Sequence, residues 1–188
     1  MTTLHIKNMV CPRCETAVHD LMERNGLHVA AVRLGEVRVE ETLTEALTEQ
    51  LRRELGEMGF ELLEDARQIQ VERIRTAIID WTQLNGERPN LSDYLRRHIP
   101  GDYGQTSRLF SEIRGMTVER YAILQRIERV KDLLCQPEKN IAEVAWEVGY
   151  SSPAHLSAQF RQITGLTPRQ YKEDRQKQPD ARCYIDEI

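Results

Sequence analysis

Two cysteines stand close together near the start of the chain, in "NMVCPRC", Asn8 to Cys14. A thiolate is a soft nucleophile and a soft ligand. Cys11 and Cys14 could therefore hold a thiophilic cation, trade a disulfide, or only fill space. Cu(I) accepts two sulfurs; Zn(II) asks for four ligands, and this stretch offers two. No Gly-rich phosphate loop and no nucleophile with a base partner can be placed, so the expectation is not an enzyme.

The thiols need elements to position them. Residues 2–9 alternate as a strand. Cys14, Ala17, Val18, Leu21 and Met22 then fall on one helical face, and Asn25-Gly26 stops the helix. Residues 28–34 and 36–40 read as two strands around Gly35. Thr42 and Glu45 have capping-box spacing, and Leu43, Leu47, Leu51, Leu55 and Met58 make a helical stripe ended by Gly59. Residues 60–63 give a last strand. The order βαββαβ predicts a ferredoxin-like sandwich, an α+β domain over residues 1–66. The cysteine pair falls where the first strand turns into the first helix, with Pro12 suited to a first helical position. A helix start favours negative charge, so thiolates are expected to be stabilised there.

Residues 4–64 resemble a heavy-metal-associated domain, the copper-chaperone fold. Met9, Cys11 and Cys14 match its Met-x-Cys-x-x-Cys loop, and Val18, Leu21 and Gly59-Phe60 match further positions. The resemblance implies that the cysteines bind metal and that Met9 is a packed anchor beneath the loop. The chain departs from the pattern at Asn8, where glycine is usual, and in the bulky Pro12-Arg13 between the cysteines. A thioredoxin-like redox pair would also sit at a helix start, but in a longer, differently ordered fold.

Residues 67–175 read as an all-α domain with an internal repeat. Phe110/Phe160, Gly115/Gly165, Thr117/Thr167 and Tyr121/Tyr171 coincide at an offset of 50. Asn90 and Asn140 each cap a short helix, followed by a turn and a second helix: helix-turn-helix, twice. In the second copy Ser151 or Ser152 caps the helix after the turn. Thr117 to Leu134 reads as one linking helix, and Ile74, Ile78 and Trp81 stripe an opening one. This half resembles the DNA-binding domain of AraC/XylS-type regulators, most strongly in Ile141, Ala145, Gly149-Tyr150-Ser151, Phe160, Gly165, Pro168 and Tyr171. The resemblance implies two recognition helices entering successive major-groove segments, about 34 Å apart. It places Gly104, Gln105, Ser107 and Arg108 on the exposed face of the first, and Ala154, His155, Ser157 and Gln159 on that of the second, with Arg161 near phosphate. The first copy departs at Thr106, where a buried leucine is usual.

Charge separates the two halves. Residues 1–68 carry 8 Lys/Arg against 13 Asp/Glu; the remainder carries 18 against 17. An acidic first unit is expected to repel the duplex and stay clear of the groove. Cys135 reads as a small apolar filler. Cys183 lies in a polar tail, residues 176–188, and would be a third sulfur if the tail folds back on Cys11 and Cys14. With neither a signal peptide nor an apolar run long enough for a bilayer, the expected location is cytoplasmic. The expected function is a transcription regulator that senses Cu(I) or Hg(II), with Ag(I), Cd(II) and Zn(II) as further candidates. A thiol-redox sensor and a metal-independent regulator that uses its first domain to dimerise are the alternatives. Double-stranded operator DNA is the expected partner, and RNA polymerase and a second copy of the chain stand open as others.

Overall fold

The computed structural model describes residues 1–86 and 88–177. Its elements are β1 (Thr2–Lys7), α1 (Pro12–Arg24), β2 (Val29–Arg33), β3 (Glu36–Val39), α2 (Glu45–Glu57), β4 (Glu61–Leu63), α3 (Ala66–Gln83), α4 (Leu91–His98), α5 (Tyr103–Arg114), α6 (Val118–Leu134), α7 (Ile141–Glu147), α8 (Pro153–Thr164) and α9 (Pro168–Lys177). The chain divides into two compact units, Met1–Thr76 and Ala77–Ile188. The division falls inside α3 rather than ahead of it.

In the first unit the four strands make one antiparallel sheet, ordered β2-β3-β1-β4. The alternation in β1 sets one face: Leu4 and Ile6 are buried, opposite Val37 on β3 and Leu62 on β4. Val18, Leu21 and Met22 of α1 and Leu51 and Leu55 of α2 close the same core. The capping residue of α2 differs from the expected Thr42. Thr44 caps it, its hydroxyl accepting from the Leu47 amide at 3.2 Å, so Leu43 lies before the helix and packs on the core from the loop. Met58, expected on the buried stripe, is exposed; the helix ends at Glu57, and the turn into Gly59 carries Met58 off the face.

In the second unit the repeat is structural as well as sequential. Asp102 and Ser152 cap α5 and α8, accepting from the amides of Gln105 and His155, each at 3.1 Å. Both helices end on a left-handed glycine, Gly115 and Gly165. Phe110 meets Tyr121 edge-on at 5.4 Å, and Phe160 meets Tyr171 at 5.5 Å. Asn140 makes the full capping box with Glu143 at α7, whereas Asn90 precedes α4 without a side-chain cap bond. Linking helix α6 buries Tyr121, Ile127, Val130 and Leu134, while Leu124 stays half-buried. Thr106 is buried at the position where leucine is usual.

Candidate functional site

Cys11 is the N-cap of α1, and Cys14 sits in its first turn, its amide donating to the Cys11 carbonyl at 2.9 Å. Both thiols are half-buried, with the sulfurs 3.6 Å apart. With bonds of about 2.3 Å, this spacing suits a bent rather than a linear sulfur–metal–sulfur arrangement. Asn8 has φ 73, a left-handed backbone. That conformation explains the departure from glycine: asparagine tolerates it better than other side chains, and here the Asn8 amide also donates to the Gly59 carbonyl at 3.0 Å. Met9 is wholly buried in the core.

The expectation of stabilised thiolates needs correcting at Cys14. Burial pushes its thiol above the ordinary cysteine range; hydrogen bonds from the Val10 and Cys11 backbone only partly oppose this, and the Cys11 thiol adds to the rise. Desolvation outweighs the helix start here because Cys14 packs against the core. Metal entry at such a thiol displaces a proton. Among the described residues no further His, Cys, Asp or Glu groups with the pair into a cluster of three. Cys183 lies outside the described residues. Cys135, expected as apolar filler, is exposed at the C-cap of α6, where the chain has left the core.

The other candidate surface is the outer face of α5 and α8. Gly104, Gln105 and Arg108 are exposed on α5, with Ser107 half-buried. Ala154, His155 and Arg161 are exposed on α8, with Ser157 half-buried and its hydroxyl spent on the Pro153 carbonyl at 2.8 Å. Gln159, expected to be exposed, is half-buried, and its side-chain oxygen accepts from the Tyr150 hydroxyl at 2.7 Å. That bond ties the residue to Tyr150 in the turn ahead of α8. His155 is held at its ring by Ser151 Oγ, 3.1 Å away, and lies edge-on to Tyr150.

Sequence reading missed the arginines behind the second copy. Arg126 of α6 lies 4.0 Å over the Tyr150 ring and donates to the carbonyls of Val148 and Gly149 at 3.3 and 3.1 Å. It thus fastens the turn that aims α8. Arg88 stacks on Trp81 at 5.0 Å and donates to the Leu84 carbonyl at 2.7 Å. Burial, with Arg126 and Arg129 nearby, lowers its pKa to about 10, so it stays charged at neutral pH. In the first copy a different pair does this work. Arg96 lies over the Tyr103 ring at 5.2 Å, and the Tyr103 hydroxyl donates to Glu119 at 2.8 Å. Burial and that carboxylate push the phenol up to about 12.

A family model described as "Helix-turn-helix domain" matches residues 103–174. The chain is 28% identical over 93 residues to the HTH-type transcriptional regulator ArgR of Pseudomonas aeruginosa, a match spanning 50% of this chain and 28% of that one. It is 32% identical over 102 residues to the regulator GbdR of the same species, covering 54% and 27%. The matches thus span between a quarter and a third of the length of these relatives. Among solved structures, an AraC-type regulator from Chromobacterium violaceum superimposes with TM-score 0.52 at 24% identity, over 60% of this chain and 96% of that one. The DNA-binding domain of AdpA, solved with a target DNA, gives 0.51 at 21%, over 59% and 97%. The helical half of the chain has the fold of an AraC-type helix-turn-helix domain, and its relatives are transcriptional regulators. Among the described residues no helix is long and apolar enough to cross a membrane.

Proposed function

We propose that the protein is an AraC-type DNA-binding transcription regulator that responds to a soft thiophilic cation, Cu(I) or Hg(II) foremost, at Cys11 and Cys14. The DNA-binding part is supported by the doubled helix-turn-helix and by the relatives that share it. The metal part is carried by one observation: two half-buried sulfurs 3.6 Å apart at the start of α1, over a buried methionine. The βαββαβ order and the β2-β3-β1-β4 sheet support reading the first unit as a ferredoxin-like, heavy-metal-associated domain. A thiol pair with no His, Asp or Glu grouped with it among the described residues favours Cu(I), Hg(II) or Ag(I) over Zn(II), with Cd(II) gaining if Cys183 supplies a third sulfur.

Two measurements on the reduced full chain test this reading. X-ray absorption on the Cu(I)-loaded protein is expected to show sulfur neighbours only, and a nitrogen and oxygen shell would remove the metal site. If the shell counts three sulfurs and Cys183→Ser lowers it to two, the tail is a ligand. Affinity for a duplex selected from a random pool is then compared for apo protein, loaded protein and Cys11→Ser/Cys14→Ser. Typical couplings change affinity roughly 5–150-fold. Equal affinity in all three removes the sensor. A response to oxidant with metal chelated would instead favour disulfide switching, which the same sulfur spacing permits. Native mass spectrometry with and without Cu(I) decides whether a second copy of the chain is a partner, and a pull-down of RNA polymerase on the selected duplex decides whether that enzyme is.

On the DNA face, Arg108→Ala and His155→Ala are each expected to weaken binding to the selected duplex. Arg108 should cost ~1–3 kcal/mol if it reads a base and less if it touches phosphate only. Footprinting at limiting protein checks this. Protection equal to the parent's by both variants would take these residues off the interface.

A further inference from the structure

Helix α3 opens inside the first unit with a charged pair that packing alone does not require. Glu72 and Arg75, one turn apart, are 4% and 3% exposed. Arg75 Nε donates to both Glu72 carboxylate oxygens at 2.9 Å. Its Nη2 donates to Glu72 Oε1 and to the Met9 carbonyl, both at 2.5 Å. Desolvating two charges is expensive, and apolar residues of similar volume pack a buried site as well or better. What an apolar pair cannot do is present a fixed, charge-assisted donor to one backbone oxygen. That oxygen belongs to Met9, in the segment between Asn8 and Cys11 that shapes the thiol loop.

We infer that Arg75 is the positioning residue of the thiol loop, and that the Glu72–Arg75 pair is the point where metal occupancy of the loop is felt by α3. The inference rests on the metal reading of Cys11 and Cys14. An ion held linearly between two sulfurs needs them up to about 4.6 Å apart, at about 2.3 Å each, against the 3.6 Å seen here. Opening the loop moves backbone whose Met9 carbonyl is clamped by Arg75. Within the first unit α3 also lies hard against the β2–β3 hairpin. A Cβ on Gly35 would stand 3.0 Å from Thr76 Oγ1 and 3.4 Å from Glu72. The same helix runs on to Gln83, and in the second unit its last turn is fastened to α6: Arg129 donates to the Thr82 carbonyl and, at 2.5 Å, to Asn85. One helix thus carries a loop clamp near its middle and an anchor to the linking helix at its end. Coupling requires an element that both sites bias, and α3 is that element.

The test uses the full reduced chain, Cu(I) delivered from a chelator buffer, and the selected duplex. Arg75→Ala alone would strand the Glu72 carboxylate and could unfold the unit, so the informative variant is Glu72→Leu/Arg75→Met, which removes both charges. Its apo duplex affinity should stay within about threefold of the parent and its Cu(I) affinity should weaken, because the loop is no longer held; at saturating Cu(I) the ratio of loaded to apo duplex affinity falls to near one, from a parent value within the roughly 5–150-fold range of typical couplings. Arg75→Lys keeps a charge but loses the fork, and should recover part of the ratio; a merely structural role would not follow that order. A parent and double variant with the same ratio overturn the role of Arg75 and leave the metal sensor standing. A parent without any ratio overturns both.

Discussion

Phe160→Ala is expected to destabilise the helical unit by ~3–5 kcal/mol and to abolish binding to the selected duplex. The ring is 0% exposed and sits in one core with Leu156, Val144, Ala145, Ile127 and Val130. It also meets Tyr171 edge-on, which joins α8 to α9. Removing it leaves a cavity under the outer face that carries Ala154 and His155, so loss of stability and loss of DNA contact share one cause. Both tryptophans, Trp81 and Trp146, lie in the second unit. Urea unfolding followed by tryptophan fluorescence therefore reports this unit. A shift below about 1 kcal/mol would mean that α8 is not held by this core.

Gly149→Ala is expected to cost about 2–4 kcal/mol and to weaken DNA binding beyond what unfolding explains. Gly149 has φ 69, a left-handed backbone that alanine adopts only with strain. A Cβ there would also stand 2.9 Å from Arg88 Nε and 3.0 Å from the Gly86 carbonyl, and the second contact is backbone. The turn cannot yield easily, because Arg126 holds the carbonyls of Val148 and Gly149. Gly165→Ala is the matched control. Its φ is 79, but a Cβ there meets nothing within 4 Å. It should lose only the strain, ~1 kcal/mol. Equal losses in the two variants would show that the packing around Arg88 and Gly86 yields without cost.

The two variants also explain why the second copy reads more strongly in the sequence than the first. Its turn is defined by residues with few substitutes: a left-handed glycine, a tyrosine under an arginine, a serine cap. In the first copy Asp102 caps and Tyr103 is braced by Arg96 and Glu119, a different solution to the same geometry. Sequence patterns detect the common solution and pass over the substitute.

What the sequence determined by itself is local. Apolar periods of two and near four placed β1, α1, α2, α3 and α6, because burial on one face is a property of spacing. Asn140, Asn25-Gly26 and Gly59 marked helix ends, because capping involves residues within one turn. The offset of 50 carried the doubled helix-turn-helix, and the Cys11–Cys14 spacing carried the thiol pair. Tertiary structure decided everything that depends on residues far apart in the chain. Met9 and Arg75 are distant in sequence, and nothing in either neighbourhood announces their bond. The same holds for Arg126 on the turn at Gly149 and for Arg129 on the end of α3. Exposure, too, was settled by the fold: Cys135 and Met58 look apolar in sequence but lie just past helix ends, where the chain has turned away from the core. Gln159 looks exposed in sequence but is half-buried and bonded to the Tyr150 hydroxyl, because a half-buried polar group takes the nearest partner with good geometry.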